Sequence, residues 1–306
     1  MSSSFLPVWF IGNAIDASAV LITASLGAFI AFGMRLFNFG GEGQIYAGGV
    51  AASAVILLFQ PLVSNLSGEV SALVLIVAAA ASAVVGGLLG AASGILKKRF
   101  NADELLTTYL LSASLVPLCD ALVTGLFRDR GGSLLASEKF ASALTLPRIL
   151  PPSNLSLSFV GALLLVAAFS VYLTRTGAGY RFFVAGAAPG FAAYGGIRNT
   201  AYTVPALALS GALYGLAGFF FCAGTAGRLH IGFSGGAGWD AIALALLVRK
   251  RPLLLVPAAL LFCALLAAAD SALLLRGLKL ETKRFIEALA IFTAASIHIR
   301  GNGNHV

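Results

Sequence analysis

The sequence predicts an all-α, polytopic transmembrane protein, because of its composition and its long apolar runs. Of the 306 residues, 59% are hydrophobic and only 10% are charged, and the mean hydropathy is +0.94. A soluble domain carries about 25% charged residues. Several apolar runs exceed the roughly 20 residues that a helix needs to cross a bilayer, and they lack the alternation of a membrane β-barrel strand. We therefore expect one transmembrane helical domain over residues 1–306, with about 8–10 spans.

The net charge of +8 does not indicate nucleic-acid binding. The basic residues stand in short clusters between apolar runs, as at residues 97–99 and 249–251. That distribution is typical of cytoplasmic loops under the positive-inside rule. The sequence thus predicts a multi-pass membrane protein, with the lipid bilayer and not nucleic acid as its surroundings.

Nine spans are expected in order along the chain. They cover residues 7–32, 42–60, 70–96, 101–127, 155–173, 203–223, 240–248, 253–269 and 285–299. The seventh is too short to cross alone, and residues 224–238 before it are expected to form a re-entrant or outer loop. Glycines at packing spacing in the third and sixth spans predict close helix–helix contact.

Alternation of the spans from the basic cluster at residues 97–99 sets the predicted topology. Residues 128–154 become a long extracytoplasmic loop, and residues 174–199 become a cytoplasmic segment with a short central helix at 180–184. The basic segment 276–284 falls on the outer side and disagrees with the positive-inside rule. The span count therefore carries an error of about one.

The stretch at residues 37–52 places a carboxylate, Glu42, among glycines at the mouth of an apolar run. Charged side chains at membrane depth are costly and usually face protein or a water-filled path. A helix that begins inside the membrane, with its polar end towards such a path, is a recurring feature of transporters. The alternative is a solvated carboxylate at a helix N-terminus in a cytoplasmic loop. The residues alone leave both interpretations open.

Two further carboxylates lie in predicted spans and are examined for a role on a solute path. Glu104 begins the fourth span, with Thr107 and Thr108 in the following turn and Thr108 on the same helix face. Asp16 lies in the first span. Its two interpretations are a residue that lines a path and a residue in the membrane interface near the outer end, and we expect the second.

Sequence patterns for catalysis are missing from the chain. There is no phosphate-binding loop and no His-Glu-x-x-His motif. The three cysteines are far apart in apolar runs, and the three histidines are isolated. We therefore expect a protein that is not an enzyme, and that moves a solute only with energy from a partner or from an ion gradient.

Four ordered motifs together resemble the permease subunits of bacterial ABC importers for simple sugars, purine nucleosides and related solutes, which are kin to the branched-chain amino acid permeases. The first motif is Asn38-Phe-Gly-Gly-Glu42-Gly, followed by Gln44; the second is Glu104-Leu-Leu-Thr107-Thr108. The family usually has an asparagine where this chain has Ser112.

The other two motifs lie in the second half of the chain. The cytoplasmic loop matches at residues 179–181 and 186–189, although Ala188 replaces a usual asparagine, and residues 235–252 match a glycine-rich lead into an apolar run that ends in a basic residue and proline.

The resemblance implies that residues 1–306 form one permease domain like that of type II ABC importers, located in a bacterial inner membrane. It also implies several partner subunits. A second permease copy or sister subunit, two cytoplasmic ATP-binding subunits and an extracytoplasmic solute-binding protein would complete the transporter. ATP would be bound by the ATPase subunits, so the permease itself needs no cofactor. Residues 174–199 become the segment that docks on the ATPase, with the coupling residues Gly177, Tyr180, Arg181, Gly186, Pro189 and Tyr194.

The expected solute is a ribose-like sugar or a nucleoside, with riboflavin as an alternative. Candidate residues of the translocation path or its gate are Asn38, Glu42, Gln44, Glu104, Thr107, Thr108 and Asp240. A rival from another class is an ion-coupled secondary transporter, with Glu42, Glu104 or Asp240 as the proton or sodium site.

Overall fold

A computed structural model describes residues 5–65, 68–248 and 251–276. Within these ranges the chain is helical and forms no β-sheet, only three isolated β-bridges, which confirms the predicted fold class. The helices are α1 (Phe5–Gly33), α2 (Gly41–Phe59), α3 (Gly68–Phe100), α4 (Glu104–Thr124), α5 (Leu157–Arg175), α6 (Gly177–Ala187), α7 (Pro189–Tyr194), α8 (Thr200–Phe219), α9 (Ala237–Val248) and α10 (Leu255–Arg276). A π-helical turn, Phe220–Ala226, continues α8.

Seven helical segments of the described chain are long and apolar enough to cross a membrane. They correspond to the first six expected spans and to the eighth. The seventh expected span is the short apolar helix α9, as its length suggested. The ninth, at residues 285–299, lies outside the described residues, as does most of the basic segment 276–284.

Close contact between α3 and α8 forms the centre of the helix packing. Gly86 and Gly90 lie against the carbonyl oxygens of Gly211 and Leu207, so closely that an added Cβ at either glycine would collide with backbone. Gly211 meets Gly86 in the same way. Small residues allow helix backbones to approach in this manner, and the packing role predicted for these glycines is confirmed.

One end of the molecule carries the larger share of the basic residues that the structure describes, and we call it the basic end. It contains the end of α1, the α3–α4 turn, and α6 with α7. Arg35, just after α1, donates from Nη2 to the carbonyl oxygen of Ala187 at the end of α6, at 2.7 Å. The opposite end, called the loop end, holds residues 125–156 and the start of α1.

At the loop end, Asp16 holds the beginning of α5. Its Oδ1 accepts hydrogen bonds from the backbone N–H of Ser156 at 3.2 Å and from the hydroxyls of Ser156 and Ser158 at 3.2 and 3.4 Å. The side chain is fully buried. Asp16 therefore lies at the expected end of its span but inside the protein, not at the membrane interface, because it supplies the N-terminal acceptor that α5 needs.

Candidate functional site

Helix α2 begins halfway along its neighbour α8, not at an end of the bundle. Gly41, its first residue, packs so closely on Tyr214 that an added Cβ would lie 2.5 Å from the tyrosine ring. Tyr214 is near the middle of the 27-residue segment Thr200–Ala226. After the end of α1, residues 34–40 thus return into the bundle before α2 starts.

Helix α9 begins at the same level and runs the other way. The preceding residues 227–236 leave the loop end, where Ser137 N–H donates to Leu229 O at 2.7 Å, and reach the start of α2. Four glycines in this segment have positive φ (Gly227, Gly232, Gly235 and Gly236), a conformation that other residues adopt only with strain. Of the two alternatives expected for this segment, a re-entrant or an outer loop, its return into the bundle at the start of α2 favours the re-entrant loop.

Glu42 joins the two helix starts. Its carboxylate accepts hydrogen bonds from the Ser234 hydroxyl, from Gly236 N–H at 3.3 Å and from Gly238 N–H at 2.9 Å. Gly238 lies directly against the Glu42 backbone, and an added Cβ there would be 2.8 Å from Glu42 Cα. We call this contact between the starts of α2 and α9 the Glu42 junction.

The junction has a simple electrostatic basis. Each helix N-terminus carries a partial positive charge and unsatisfied N–H groups, and a carboxylate there is favourable by about 0.3–1 kcal/mol, more when partly buried. Glu42 serves both its own helix α2 and α9. Glu42 is half-buried. It is therefore both a carboxylate at a helix N-terminus and a charge inside the bundle, so each of the two interpretations holds in part.

A buried amide pair supports the approach to the junction. Asn38 Nδ2 donates to Gln44 Oε1 and to Ser210 Oγ, both at 2.9 Å, and Gln44 Nε2 donates back to Asn38 Oδ1 at 3.2 Å. Asn38 Oδ1 also accepts from Gly40 N–H at 3.1 Å. Asn38 and Gln44 therefore fasten the start of α2 to α8, and their amides are not open to a solute here.

Helix α4 holds the other side of the same segment through two hydroxyls one turn apart. Thr108 Oγ1 accepts from Phe39 N–H at 3.0 Å, and Ser112 Oγ accepts from Gly43 N–H at 2.7 Å. Ser112, noted in the sequence only as a departure from the family pattern, thus satisfies a backbone donor of the first turn of α2.

Three other predicted path residues lie outside this network. Glu104 is buried and forms an ion pair with Lys97 across the α3–α4 turn. Thr107 is half-buried and donates to the carbonyl of Glu104 at 3.2 Å. Asp240 is half-buried in the first turn of α9. Their assignment to the path stays a prediction.

An exposed aromatic surface borders the junction. The ring centroids of Phe39 and Trp239 are 5.8 Å apart, and those of Tyr109 and Trp239 are 6.3 Å apart. Tyr109 and Trp239 are 44% and 46% exposed. We call these three residues the aromatic face; it lies where α4, α9 and the approach to α2 meet.

The predicted coupling segment consists of α6 and α7, longer than the short helix expected at residues 180–184. Thr176 caps α6 by accepting from Gly179 N–H at 2.9 Å, and Pro189 opens α7. Gly177 and Arg181 are exposed on α6. Gly186 is buried directly against the carbonyl of Gly33 in α1. The segment is therefore anchored on α1.

Large aromatic side chains project from this anchored segment. Tyr180 and Phe183 on α6 are exposed, and so are Phe191 and Tyr194 on α7, with Tyr194 96% exposed. Such residues are enriched at protein interfaces and dominate their energetics.

Sequence reasoning missed several residues of the junction: Ser112, Ser210, Tyr214, Ser234 and Trp239. Tyr214 is fully buried, and its hydroxyl has no hydrogen-bond partner within the described residues. Serine, tyrosine and tryptophan in apolar helices carry no spacing signal, so only the packing of α2, α4, α8 and α9 reveals them.

Comparison with known proteins supplies the family. Residues 10–295 match the model of the branched-chain amino acid transport system permease component. The chain is 34% identical to a probable riboflavin import permease of Treponema pallidum, over 91% of this chain and 72% of that protein. It is 30% identical to a glucose ABC transporter permease of Haloferax volcanii, with 89% and 72% covered.

A guanosine ABC transporter permease of Bacillus subtilis is also 30% identical, over 97% of this chain and 84% of the relative. No solved structure is significantly similar to the chain. The part of the chain that the structure describes contains seven apolar spans, and the family match covers almost the whole sequence. The chain therefore belongs to the branched-chain amino acid transport system permease family and is a multi-pass inner-membrane permease subunit of an ABC importer.

Proposed function

We propose that this permease imports a solute that carries a ribose or ribose-derived chain, a ribose-like sugar or a nucleoside, with riboflavin as the second candidate. The observation that carries the proposal is the family match over residues 10–295 together with the relatives named for riboflavin, guanosine and glucose. The chain performs no chemistry of its own, and it needs no cofactor because partner subunits bind ATP.

The aromatic face favours the solutes that combine a polyhydroxyl chain with a flat ring. Phe39, Tyr109 and Trp239 offer ring faces beside a polar junction, and stacking on aromatic side chains is worth about 1–3 kcal/mol per nucleobase. Guanosine and riboflavin both contain such a ring, whereas a free sugar does not. This favours a nucleoside or riboflavin over ribose.

The proposed gate is the Glu42 junction. Two helix starts meet there at mid-depth, held by one carboxylate that is half-buried. Transporters place broken helices of this kind around their binding sites. Separation of α9 from α2 would break the Glu42 contacts and the ring contact between Phe39 and Trp239. The hydrogen bonds of Asn38, Gln44, Thr108 and Ser112 would keep α2 in place.

The proposed energy input is docking of an ATPase subunit on α6 and α7. The exposed Tyr180, Phe191 and Tyr194 supply the contact, and buried Gly186 transmits the movement to α1 through its packing on Gly33. The partners are two such ATPase subunits, a second permease and a solute-binding protein, with this segment in the cytoplasm and residues 128–154 outside.

The decisive experiment is purification of the protein from native membranes in mild detergent, followed by identification of the proteins that accompany it. The proposal expects an ATPase and a solute-binding protein, and the ligand of the binding protein names the solute. A permease that purifies alone and whose uptake collapses with the ion gradient would support the secondary transporter instead. A binding protein that prefers glucose over guanosine and riboflavin would reject the proposed solute alone.

Coupling has its own test. Phe191→Ala with Tyr194→Ala removes exposed rings without disturbing the core, so the protein should reach the membrane but lose the ATPase during purification. Trp9→Ala at the loop end, half exposed as well, is the matched control. Gly186→Ala places a methyl group against the α1 backbone, and it should retain the ATPase but separate ATP hydrolysis from uptake. Unchanged transport in both variants would remove the coupling assignment.

A further inference from the structure

A groove at the basic end of the molecule includes Gly186 of the coupling segment in its wall, but the proposed transport mechanism gives the groove itself no role. It has a volume of about 750 Å³ and lies between the ends of α1, α5 and α9 and the side of α6. That size is within the range of small-molecule sites. Its wall is mostly apolar and includes Phe29, Phe169, Phe182 and Leu246.

The polarity of the groove changes along its length. Arg35 follows the end of α1, Arg251 follows the end of α9, and both line the groove and are exposed. Phe29 lies four residues inside α1 and Phe169 six residues inside α5, which places them roughly 6 and 9 Å from the helix ends. The groove thus has positive charge at its outer end and an apolar interior at membrane depth.

We propose that this groove binds an anionic phospholipid of the leaflet at the basic end. The phosphate would lie between Arg35 and Arg251, and an acyl chain would extend along Phe29 and Phe169. Basic pockets between transmembrane helices are a recognised site for anionic headgroups. Arg35 uses one N–H for Ala187, and its guanidinium has further donors for a phosphate.

Charge argues against the other occupants. Neither arginine has an ion-pair partner among the described residues, and the sequence adds Arg249 and Lys250 beside Arg251. Residues 277–306 contain four Lys or Arg against two Glu, and no carboxylate follows Glu287, so this segment brings no net negative charge. A second copy facing the groove across a two-fold axis would set arginine against arginine.

Binding would also connect two parts of the transporter. Phe182 and the Arg35 contact with Ala187 belong to α6, while Leu246 and Arg251 belong to α9 and its end. A lipid in the groove therefore bridges the coupling segment and the helix that starts at the Glu42 junction.

The test uses the full-length protein in phosphatidylcholine bilayers that contain traces of phosphatidylglycerol with a photoreactive acyl chain. Peptides that carry Phe29, Phe169 and Leu246 should be labelled, and unlabelled phosphatidylglycerol should compete better than phosphatidylcholine. Arg35→Gln with Arg251→Gln should weaken that competition roughly thirtyfold, about fivefold for each arginine. Arg175→Gln with Arg198→Gln removes the same charge from exposed positions outside the groove and should have no effect.

A second variant tests the same groove in case the double arginine variant does not fold. Leu246 is 49% exposed on the groove wall, and Leu246→Trp should block labelling while leaving both arginines in place. The proposal is overturned if label spreads evenly over lipid-facing helices such as α3, or if both lipids compete equally. It is also overturned if label enters the groove only after residues 277–306 or the ATPase are removed, since these would then be the occupants.

Discussion

Two carboxylates of this permease perform the same local task in different surroundings. Asp16 accepts from the N–H of Ser156, the N-cap residue of α5, and Glu42 accepts from the N–H of Gly238 in the first turn of α9. Each carboxylate thus holds the start of a helix distant in sequence. Asp16 is fully buried among hydroxyls at the loop end. Glu42 is half-buried at mid-depth, and the segment that approaches it contains four glycines with positive φ.

The difference separates a fixed contact from a movable one. Breaking the Asp16 contact leaves polar groups buried without partners, which costs about 1–3 kcal/mol for each group. Breaking the Glu42 contact exposes groups that solvent or a solute can reach. We therefore expect Asp16 variants to lose folded protein, and Glu42 variants to lose transport.

Asp16→Ala is the change with the largest expected effect. It removes the acceptor of the Ser156 N–H and of the Ser156 and Ser158 hydroxyls, of which only one can donate to the other instead, at 2.8 Å. The free energy of unfolding should therefore fall by roughly 2–4 kcal/mol. Thermal unfolding of the purified protein measures this loss of stability. Uptake per folded molecule is measured separately and should be preserved. Asn13→Ala is the control, since Asn13 accepts a single bond at the same end. Normal stability with lost uptake would instead place Asp16 on the path.

Glu42→Gln is the complementary change. Glutamine retains an acceptor oxygen but not the negative charge that two helix starts share, a loss on the order of 1–2 kcal/mol. Uptake should fall about tenfold, while the amount in the membrane stays unchanged. The exposed Glu69→Gln in the first turn of α3 is the matched control. Normal uptake would show that Glu42 only caps helices.

The predictable part of this fold comes from apolar length. Helices α1, α3 and α5 agree with the expected spans to within a few residues, because a span must exceed about 17 residues of apolar sequence. Glycine spacing predicted close helix packing for the third and sixth spans, but it did not predict that α3 and α8 pack on each other. Helix α9 was harder, since a 12-residue helix crosses only part of a membrane and its orientation depends on Glu42, almost two hundred residues earlier.

The candidate site shows the same limit. Asn38, Glu42, Gln44 and Thr108 were selected from motifs, and the structure brings all four to the start of α2. Glu104 belongs to the same motif as Thr108, yet its carboxylate pairs with Lys97 instead. Helical spacing gives the face on which a side chain lies, but the neighbouring helix decides its partner.

Ser112→Ala tests the attachment of the start of α2 to α4, a contact that we expect to stay fixed while the Glu42 contact moves. It removes the acceptor of Gly43 N–H in the first turn of α2, at a cost of about 1 kcal/mol. Amide exchange in residues 37–47 should therefore accelerate about fivefold. Ser114→Ala on the same helix removes a hydroxyl that bonds only within α4 and should leave the exchange unchanged. Slow exchange in both variants would mean that Asn38 and Gln44 suffice to hold α2.

Glu104→Gln has the smallest expected effect. Lys97, its partner, is 32% exposed, and partly exposed ion pairs contribute about 0–1 kcal/mol and are screened by salt. Uptake should change less than about twofold, and the variant should differ least from the original protein at high ionic strength. Lys97→Met is the companion variant, because it breaks the same pair and leaves the carboxylate. If Glu104→Gln abolishes uptake while Lys97→Met does not, the carboxylate acts on the path by itself, and the gate extends from the Glu42 junction to the α3–α4 turn.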